Sequence, residues 1–438
     1  MTEKGALETA AAIATGESSA RAEAEAAITR IEERDGAINA VVVRDFERAL
    51  VAADEADARV ARGERAPLLG VPMTVKEAFD VAGLPTTWGF TEHRDFIAPE
   101  DAVAVTRLKR AGAVILGKTN VALGLADHQS VNPVYGRTLN PHDDSRSAGG
   151  SSGGSGAALA SGMVPLELGS DIGGSIRIPA AFNGVWGHKP TYGAVETDGH
   201  YFARPDAANV PMNVVGPLAR NADDLLLALD LLADQPLPPA TQRAAGEWRV
   251  FLLDSHPVAP IPGAIVDKLE DIGAKLAAEG ATVDRASPLL PDLAGQLGDY
   301  VQFLTVAISH GVPLDGSEPP SLAQWLDMVD QQQRAIRAWT GFFAHYDALV
   351  APVFGTTAYP HDDTLIFERM LAVDGVATPY AAQMAFPGLA SYPNLPGTSV
   401  PVGTDADGLP IGVQVLADRW RDHDALALAR RVNQLMLG

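Results

Sequence analysis

The stretch from Gly149 to Pro190, GGSSGGSGAALASGMVPLELGSDIGGSIRIPAAFNGVWGHKP, constrains this chain more than any other. It holds two serine-bearing glycine turns, Gly149–Gly154 and Gly173–Ser175, separated by a small-residue run and an apolar run. Glycine adopts backbone conformations that other residues resist, so two such turns gather backbone N–H groups around one point. A serine inside each turn marks that point as a place where a group reacts. Glycine and serine also make plain linkers, but linkers do not carry Ile172, Ile176 and Ile178 woven through the glycines.

Ser175 follows Gly173-Gly174 and precedes a helix predicted over Ile176–Val185. A serine there faces backbone N–H groups and the positive end of a helix. That is the setting of an acyl-transfer nucleophile, which needs ready-made oxyanion donors beside it. Serine is weak at its own pKa and needs a base, and no histidine has an obvious partner position. Lys76 ends a strand-like run in which Val71, Met73 and Val75 alternate with Pro72, Thr74 and Lys76. Burial in such a strand lowers a lysine's pKa towards neutrality, and Ser151 can relay a proton between Lys76 and Ser175. A solvated lysine on the polar face is the plain alternative. The chain has only seven lysines, so one in an apolar context stands out.

These residues resemble the amidase signature family of serine hydrolases. The likeness covers GGSSGGSGAALASG and GSDIGGSIRIPAAFNGVWGHKPTYG, GVPMTVKEAFDVAGLPTTWG around Lys76, and LGKTN with NPVYGRTLNP before the signature. Near the C-terminus it covers NLPGTSVPVG and GLPIGVQVL. The resemblance implies a triad: Ser175 as nucleophile, Ser151 as a serine joined to Gly150 by a cis peptide, and Lys76 as base. It implies an oxyanion hole at Ile172, Gly173 and Gly174, with the amide of Ser175 beside them. Gly124, Leu125 and Ala126 match a loop lining the acyl side of the pocket, and Asp171 and Arg177 match bracing positions. Two residues depart from the pattern, Ser170 for a common threonine and Asn183 for a common cysteine, and both are expected to affect packing only. The implied substrate is a small-molecule amide or carbamate, with no cofactor and no metal.

Composition narrows the alternatives. There is no cysteine, which excludes disulfides and cysteine-based metal sites. A net charge of −22 disfavours nonspecific binding to nucleic acid or anionic membranes. No signal peptide or run of about eighteen apolar residues is seen, so the expectation is a cytoplasmic protein without a membrane partner; a homodimer is compatible with it. Gly150–Gly154 also fits G-x-S-x-G, the nucleophile elbow of α/β-hydrolase esterases, with Ser152 as nucleophile and Asp422 and His423 as partners. That elbow must follow a strand, and Asp143–Ala148 is a poor one. His142 with Asp143 and Asp144, or His361 with Asp362 and Asp363, lack the spacing of a metal motif. The triad also fits the amidase-like subunit of a tRNA-dependent amidotransferase complex.

The rest of the chain reads as strands alternating with helices, an α/β pattern. Strands are predicted at Ala113–Lys118, Met163–Leu168, Arg249–Leu253, Asp347–Pro352, Thr398–Val402 and Ile411–Leu416. Helices are predicted within Ala20–Val60 and at Asp223–Leu232, Val266–Glu279 and His423–Leu437, with 196–248 otherwise connecting structure. The expected architecture is a single amidase-signature domain over 1–438, with a central mixed, mostly parallel sheet and helices on both faces. A helical cap is expected over 286–345. Trp88 and Phe90, with Trp325, Trp339, Phe342 and Phe343 of that cap, are expected to line the cleft beside Leu125, which predicts bulky, uncharged substrates.

Overall fold

Strands that are buried at every position must be covered on both faces, and this chain has several. In the computed structural model, which describes residues 3–200, 208–312 and 318–438, they form one eleven-stranded sheet. Its strands in chain order are β1 Val41–Arg44, β2 Pro72–Lys76, β3 Val114–Thr119, β4 Leu166–Asp171, β5 Trp186–Lys189 and β6 Val214–Ala219. They continue as β7 Arg249–Leu252, β8 Thr282–Asp284, β9 Ala348–Pro352, β10 Gly397–Thr404 and β11 Pro410–Leu416. The spatial order is β1-β3-β2-β4-β6-β5-β10-β11-β9-β7-β8.

The sheet is mixed, as expected, but its balance differs from the expectation. Six of the ten neighbouring pairs are antiparallel. The parallel ones are β2 with β3, β2 with β4, β7 with β8 and β7 with β9. A parallel pair needs a crossover, whereas a short turn forces reversal. Helix Val103–Arg110 crosses from β2 to β3 and Gly263–Ala278 from β7 to β8, while β10 and β11 close on a tight turn. Strands β5 and β6, unforeseen in the sequence, take part in three of the six antiparallel pairs. Within the stretch read as helical, Ala20–Val60, the segment Val41–Arg44 forms β1 instead.

Twelve α-helices lie among the described residues: α1 Ala6–Thr15, α2 Ala20–Arg34, α3 Phe46–Ala61, α4 Val103–Arg110, α5 Gly153–Ala160 and α6 Arg177–Asn183. The others are α7 Ala222–Leu232, α8 Gly263–Ala278, α9 Leu293–Ile308, α10 Leu322–Phe343, α11 Ala385–Ser391 and α12 Asp422–Leu437. Ser19 caps α2 by accepting from the Ala22 amide at 3.1 Å, as a serine there should. None is long and apolar enough to cross a membrane.

Period-two alternation deals the strand residues to two sides. Val250 and Leu252 of β7 and Val350 of β9 face α8 and α12, together with Ile115 of β3 under α4. Val114 and Leu116 of β3 face α2, α3 and α5 on the other side. There Phe251 of β7 and Leu349 of β9 meet Trp339 and Phe342 of α10. This corrects the expected lining. Trp339 and Phe342 are fully buried, with Phe342 5.4 Å from Phe251 and 4.7 Å from Tyr346 between ring centres. Phe343 stacks on Trp339, Trp88 is buried near Phe96, and half-buried Trp325 stacks on Phe303. Trp339, Phe342 and Phe343 of α10 pack on the sheet, whereas Trp325 packs in a separate cluster with Phe303 that also takes in Ile172.

Phe342→Ala should therefore cost about 3–5 kcal/mol of stability, read by chemical denaturation. A loss below about 1 kcal/mol, usual for surface substitutions, would contradict this packing.

Candidate active site

Lys76 stands at the end of β2 and is completely buried. Its Nζ lies 2.7 Å from Ser151 Oγ and 2.8 Å from Ser170 Oγ. Burial pulls its pKa down to about 7, and the more distant Asp171 pulls weakly the other way. Ser170 was expected to affect packing only; instead it is a direct partner of the lysine. It comes from β4, which pairs in parallel with β2, so their ends meet. Register of this kind is not written in either segment alone.

Ser151 sits just before α5, and the Gly150–Ser151 peptide is cis. A Cβ on Gly150 would stand 2.4 Å from the carbonyl oxygen of Asp127, so only glycine fits against the loop over 127–129. Ser175 lies between the end of β4 and the start of α6. Gly174 beside it has φ +100°, open to glycine and strained for other residues. The Ser152 amide donates to the Ser175 carbonyl at 3.2 Å, which ties the two glycine turns together.

Ser151, Ser170 and Ser175 open on one cavity with Leu125, Ile172, Val210 and Asn213. The structure thus gathers Lys76, Ser151 and Ser175, although no hydrogen bond joins the Ser151 and Ser175 hydroxyls among the described residues. Of the expected loop, Leu125 reaches the cavity, Gly124 turns towards the Phe90 ring and Ala126 is exposed. Val210 and Asn213 were missed because they fall in a stretch read as connecting structure, without periodicity to mark a facing side.

Of the amides expected to donate to an oxyanion, Gly174 is already engaged. It donates to Asp171 Oδ1 at 2.9 Å, and the Ile176 amide donates to Oδ2 at 3.1 Å. The amides of Ile172, Gly173 and Ser175 meet no protein acceptor among the described residues. Asp171 and Arg177 form an ion pair with both side chains wholly buried. Arg177 Nε and Nη2 donate to Asp171, Nη1 to Pro387 O and Gln414 Oε1, and Nη2 also to Ser391 Oγ. The guanidinium is committed to the protein and is a brace.

The competing constellations come apart. Ser152 is buried outside the cavity, its hydroxyl donating to the Ser170 carbonyl. Asp422 accepts from Thr191, and His423 pairs with Asp230. Asp143–Ser147 is a strand after all, but in a small ribbon with Leu139–Asn140 rather than in the main sheet. His142 contacts the Asn183 carbonyl and His361 that of Asp144; no metal-binding group of three or more side chains occurs among the described residues.

Known proteins resemble the whole arrangement. The family model described as Amidase matches residues 23–327 and 314–426. Indoleacetamide hydrolase of Bradyrhizobium diazoefficiens is 34% identical, over 98% of this chain and 85% of that protein. The 1-carboxybiuret hydrolase subunit AtzE of Pseudomonas sp. is 36% identical, over 94% of each. A solved amidase structure superposes with a TM-score of 0.84 at 28% identity, covering 99% of this chain and 100% of the other.

Arg177→Met should leave Asp171 buried and unpaired, at a cost of about 3–5 kcal/mol. A variant that melts with the parent would show that the pair does not hold the turn.

Proposed function

Because the chain belongs to the amidase family, we propose that it hydrolyses the C–N bond of an uncharged carboxylic amide, anilide or carbamate through an acyl-enzyme on Ser175. The observation that carries this reading is Lys76, buried between two hydroxyls and close to neutral at physiological pH. A neutral amine can take a proton, and a serine at 2.7 Å can pass one on.

In this mechanism Lys76 Nζ takes the Ser151 proton while Ser151 Oγ takes the Ser175 proton. Ser175 Oγ attacks the carbonyl carbon, and the carbonyl oxygen becomes an oxyanion held by the amides of Ile172, Gly173 and Ser175. Ser151 returns a proton to the leaving nitrogen as the C–N bond breaks, and Lys76 restores the proton of Ser151. Water then attacks the acyl-enzyme by the same relay and releases the acid. Preorganised amides act at the moment charge develops, which makes them strong catalytic elements.

The substrate reading no longer rests on Trp339, Phe342 and Phe343 of α10, which belong to the core. It rests on Leu125, Ile172 and Val210 in the cavity wall, which gain roughly 25 cal/mol per Å² of apolar ligand surface buried. The likeness to an indoleacetamide hydrolase supports an uncharged amide. A carboxylate-bearing substrate wants a free guanidinium, and the donors of Arg177 are spent. The triad would equally serve an amidase-like subunit of a tRNA-dependent amidotransferase; activity of the purified single chain on a simple amide would favour the stand-alone enzyme.

A fluorophosphonate should label Ser175, as mapped by mass spectrometry, and Ser175→Ala should take no label; an adduct on Ser152 would restore the elbow reading. The value of kcat/KM should fall as pH drops through about 7, because protonated Lys76 cannot accept a proton. That limb should vanish in Lys76→Ala, whose turnover should fall by about 10²–10⁴; near-parental turnover would remove the lysine from the mechanism. Among a nitroanilide, an aryl carbamate and a small dicarboxylic monoamide, the monoamide should be the poorest substrate. If it were the best, the uncharged-substrate reading would be wrong.

A further inference from the structure

Three successive carbonyls of the nucleophile turn are held from behind. The Tyr300 hydroxyl of α9 donates to the Ile172 carbonyl at 3.1 Å. His128 Nε2 lies 2.8 Å from the Gly173 carbonyl oxygen. The Ile178 amide, in the first turn of α6, donates to the Gly174 carbonyl at 2.7 Å. In a trans peptide the C=O and N–H point in opposite directions. Fixing the Ile172 carbonyl therefore aims the Gly173 N–H, and fixing the Gly174 carbonyl aims the Ser175 N–H. The peptide between them is locked at both edges, its C=O by His128 and its N–H by Asp171. It is the hinge on which the two unpartnered amides are set.

We propose that Tyr300 and His128 are positioning residues of the oxyanion site: Tyr300 orients the Gly173 amide through the Ile172 carbonyl, and His128 fixes the Gly173–Gly174 peptide that lies between the Gly173 and Ser175 amides. The proposal rests on the reading of Ser175 as nucleophile. Neither side chain is part of the cavity wall, so each acts through the backbone of the turn.

Both donors are themselves held. A carbonyl oxygen only accepts, so His128 carries its proton on Nε2, and Nδ1 accepts from the Tyr380 hydroxyl. Burial lowers the pKa of His128 and keeps the ring neutral. Arg369 lies over the Tyr380 ring and pairs with Asp127, next to His128, at 2.7 and 2.8 Å. On the other side the Tyr300 ring lies against Gly388 of α11. One turn earlier in α9, Gln296 accepts from Trp339 Nε1 at 2.7 Å and donates to the Gly388 carbonyl at 3.1 Å. The helices α9, α10 and α11 thus converge on the placement of one hydroxyl.

The experiment compares Tyr300→Phe, His128→Leu and His128→Gln with the parent, in the full chain, on a nitroanilide. Phenylalanine keeps the ring and removes the donor, leucine removes the donor, and glutamine returns an N–H near the place of Nε2. Tyr300→Phe and His128→Leu should lower kcat about tenfold or more, short of the 10²–10³ lost with a direct oxyanion donor, with KM nearly unchanged. Affinity for a trifluoromethyl ketone, which forms a tetrahedral oxyanion adduct on serine, should fall by the same factor. His128→Gln should recover most of both, and its contrast with His128→Leu decides the matter even if Tyr300→Phe folds poorly. Folded variants with parental kcat, or with only KM changed, would overturn the clamp alone. A parent that takes no fluorophosphonate on Ser175 would overturn the nucleophile, and the clamp with it.

Discussion

A carboxylate and a guanidinium shut away from water hold this site in shape. Asp171 ends β4 and Arg177 opens α6, so their pairing wraps the chain around the turn that carries Ser175. Burial pushes the Asp171 carboxyl up, and the Arg177 charge, Lys189 and the turn amides more than reverse this, holding it well below the usual carboxylate range. Arg177 reaches further, to Pro387 and Ser391 of α11 and to Gln414 of β11. Taking two charges out of water is expensive, and such pairs add little net stability. What this one provides is a single arrangement: with so many acceptors and donors engaged, the turn has no equally good alternative.

The lysine depends on that pairing too. A carboxylate free to face Lys76 would keep it charged and useless as a base. Asp171 is saturated by Arg177 and three amides, so burial governs Lys76 instead. Lys189 is buried and also lowered to about 7, yet it donates to the carbonyls of Leu395 and Pro190, which cannot give a proton back. The partners of Lys76 are hydroxyls, which both give and take. What sets Lys76 apart from Lys189 is the chemistry of its neighbours.

The candidate site was more legible in the sequence than the scaffold. The glycine turns, Ser151, Ser175 and Lys76 stand out because small residues at fixed places and a lone cation in an apolar strand are local signals. Strands β5 and β6 escaped because His188 and Lys189 break the apolar pattern and Pro217 argues against a strand interior. The aromatic stripe of α10 announced a buried face, but its spacing cannot say whether that face meets a ligand or a sheet. Ser170 and His128 are placed by register and loop packing, where no periodicity exists to be read, and Tyr300 lies on the periodic buried face of α9, whose spacing does not say which backbone carbonyl its hydroxyl meets. The balance of parallel and antiparallel pairs was lost with the unseen strands β1, β5 and β6.

The order of the strands divides the sheet into two blocks that are each continuous in sequence. Strands β1 to β6 stand together, as do β7 to β11, and among the described residues the only strand pairing between the blocks is that of β5 with β10, with Gly187, His188 and Lys189 opposite Ser399, Thr398 and Gly397. Between the blocks the chain passes through Gln235–Ala240, a proline-rich stretch without helix or strand. Lys76, Ser151 and Ser175 belong to the first block, whereas Tyr300, Ser391 and Gln414 belong to the second. Severed in that stretch, the protein becomes two fragments, one with the candidate site residues and one with the side chains that hold the turn around them, each with an open sheet edge awaiting the other. Turnover would then report the reunion of the halves, a property of complementation rather than of either fragment.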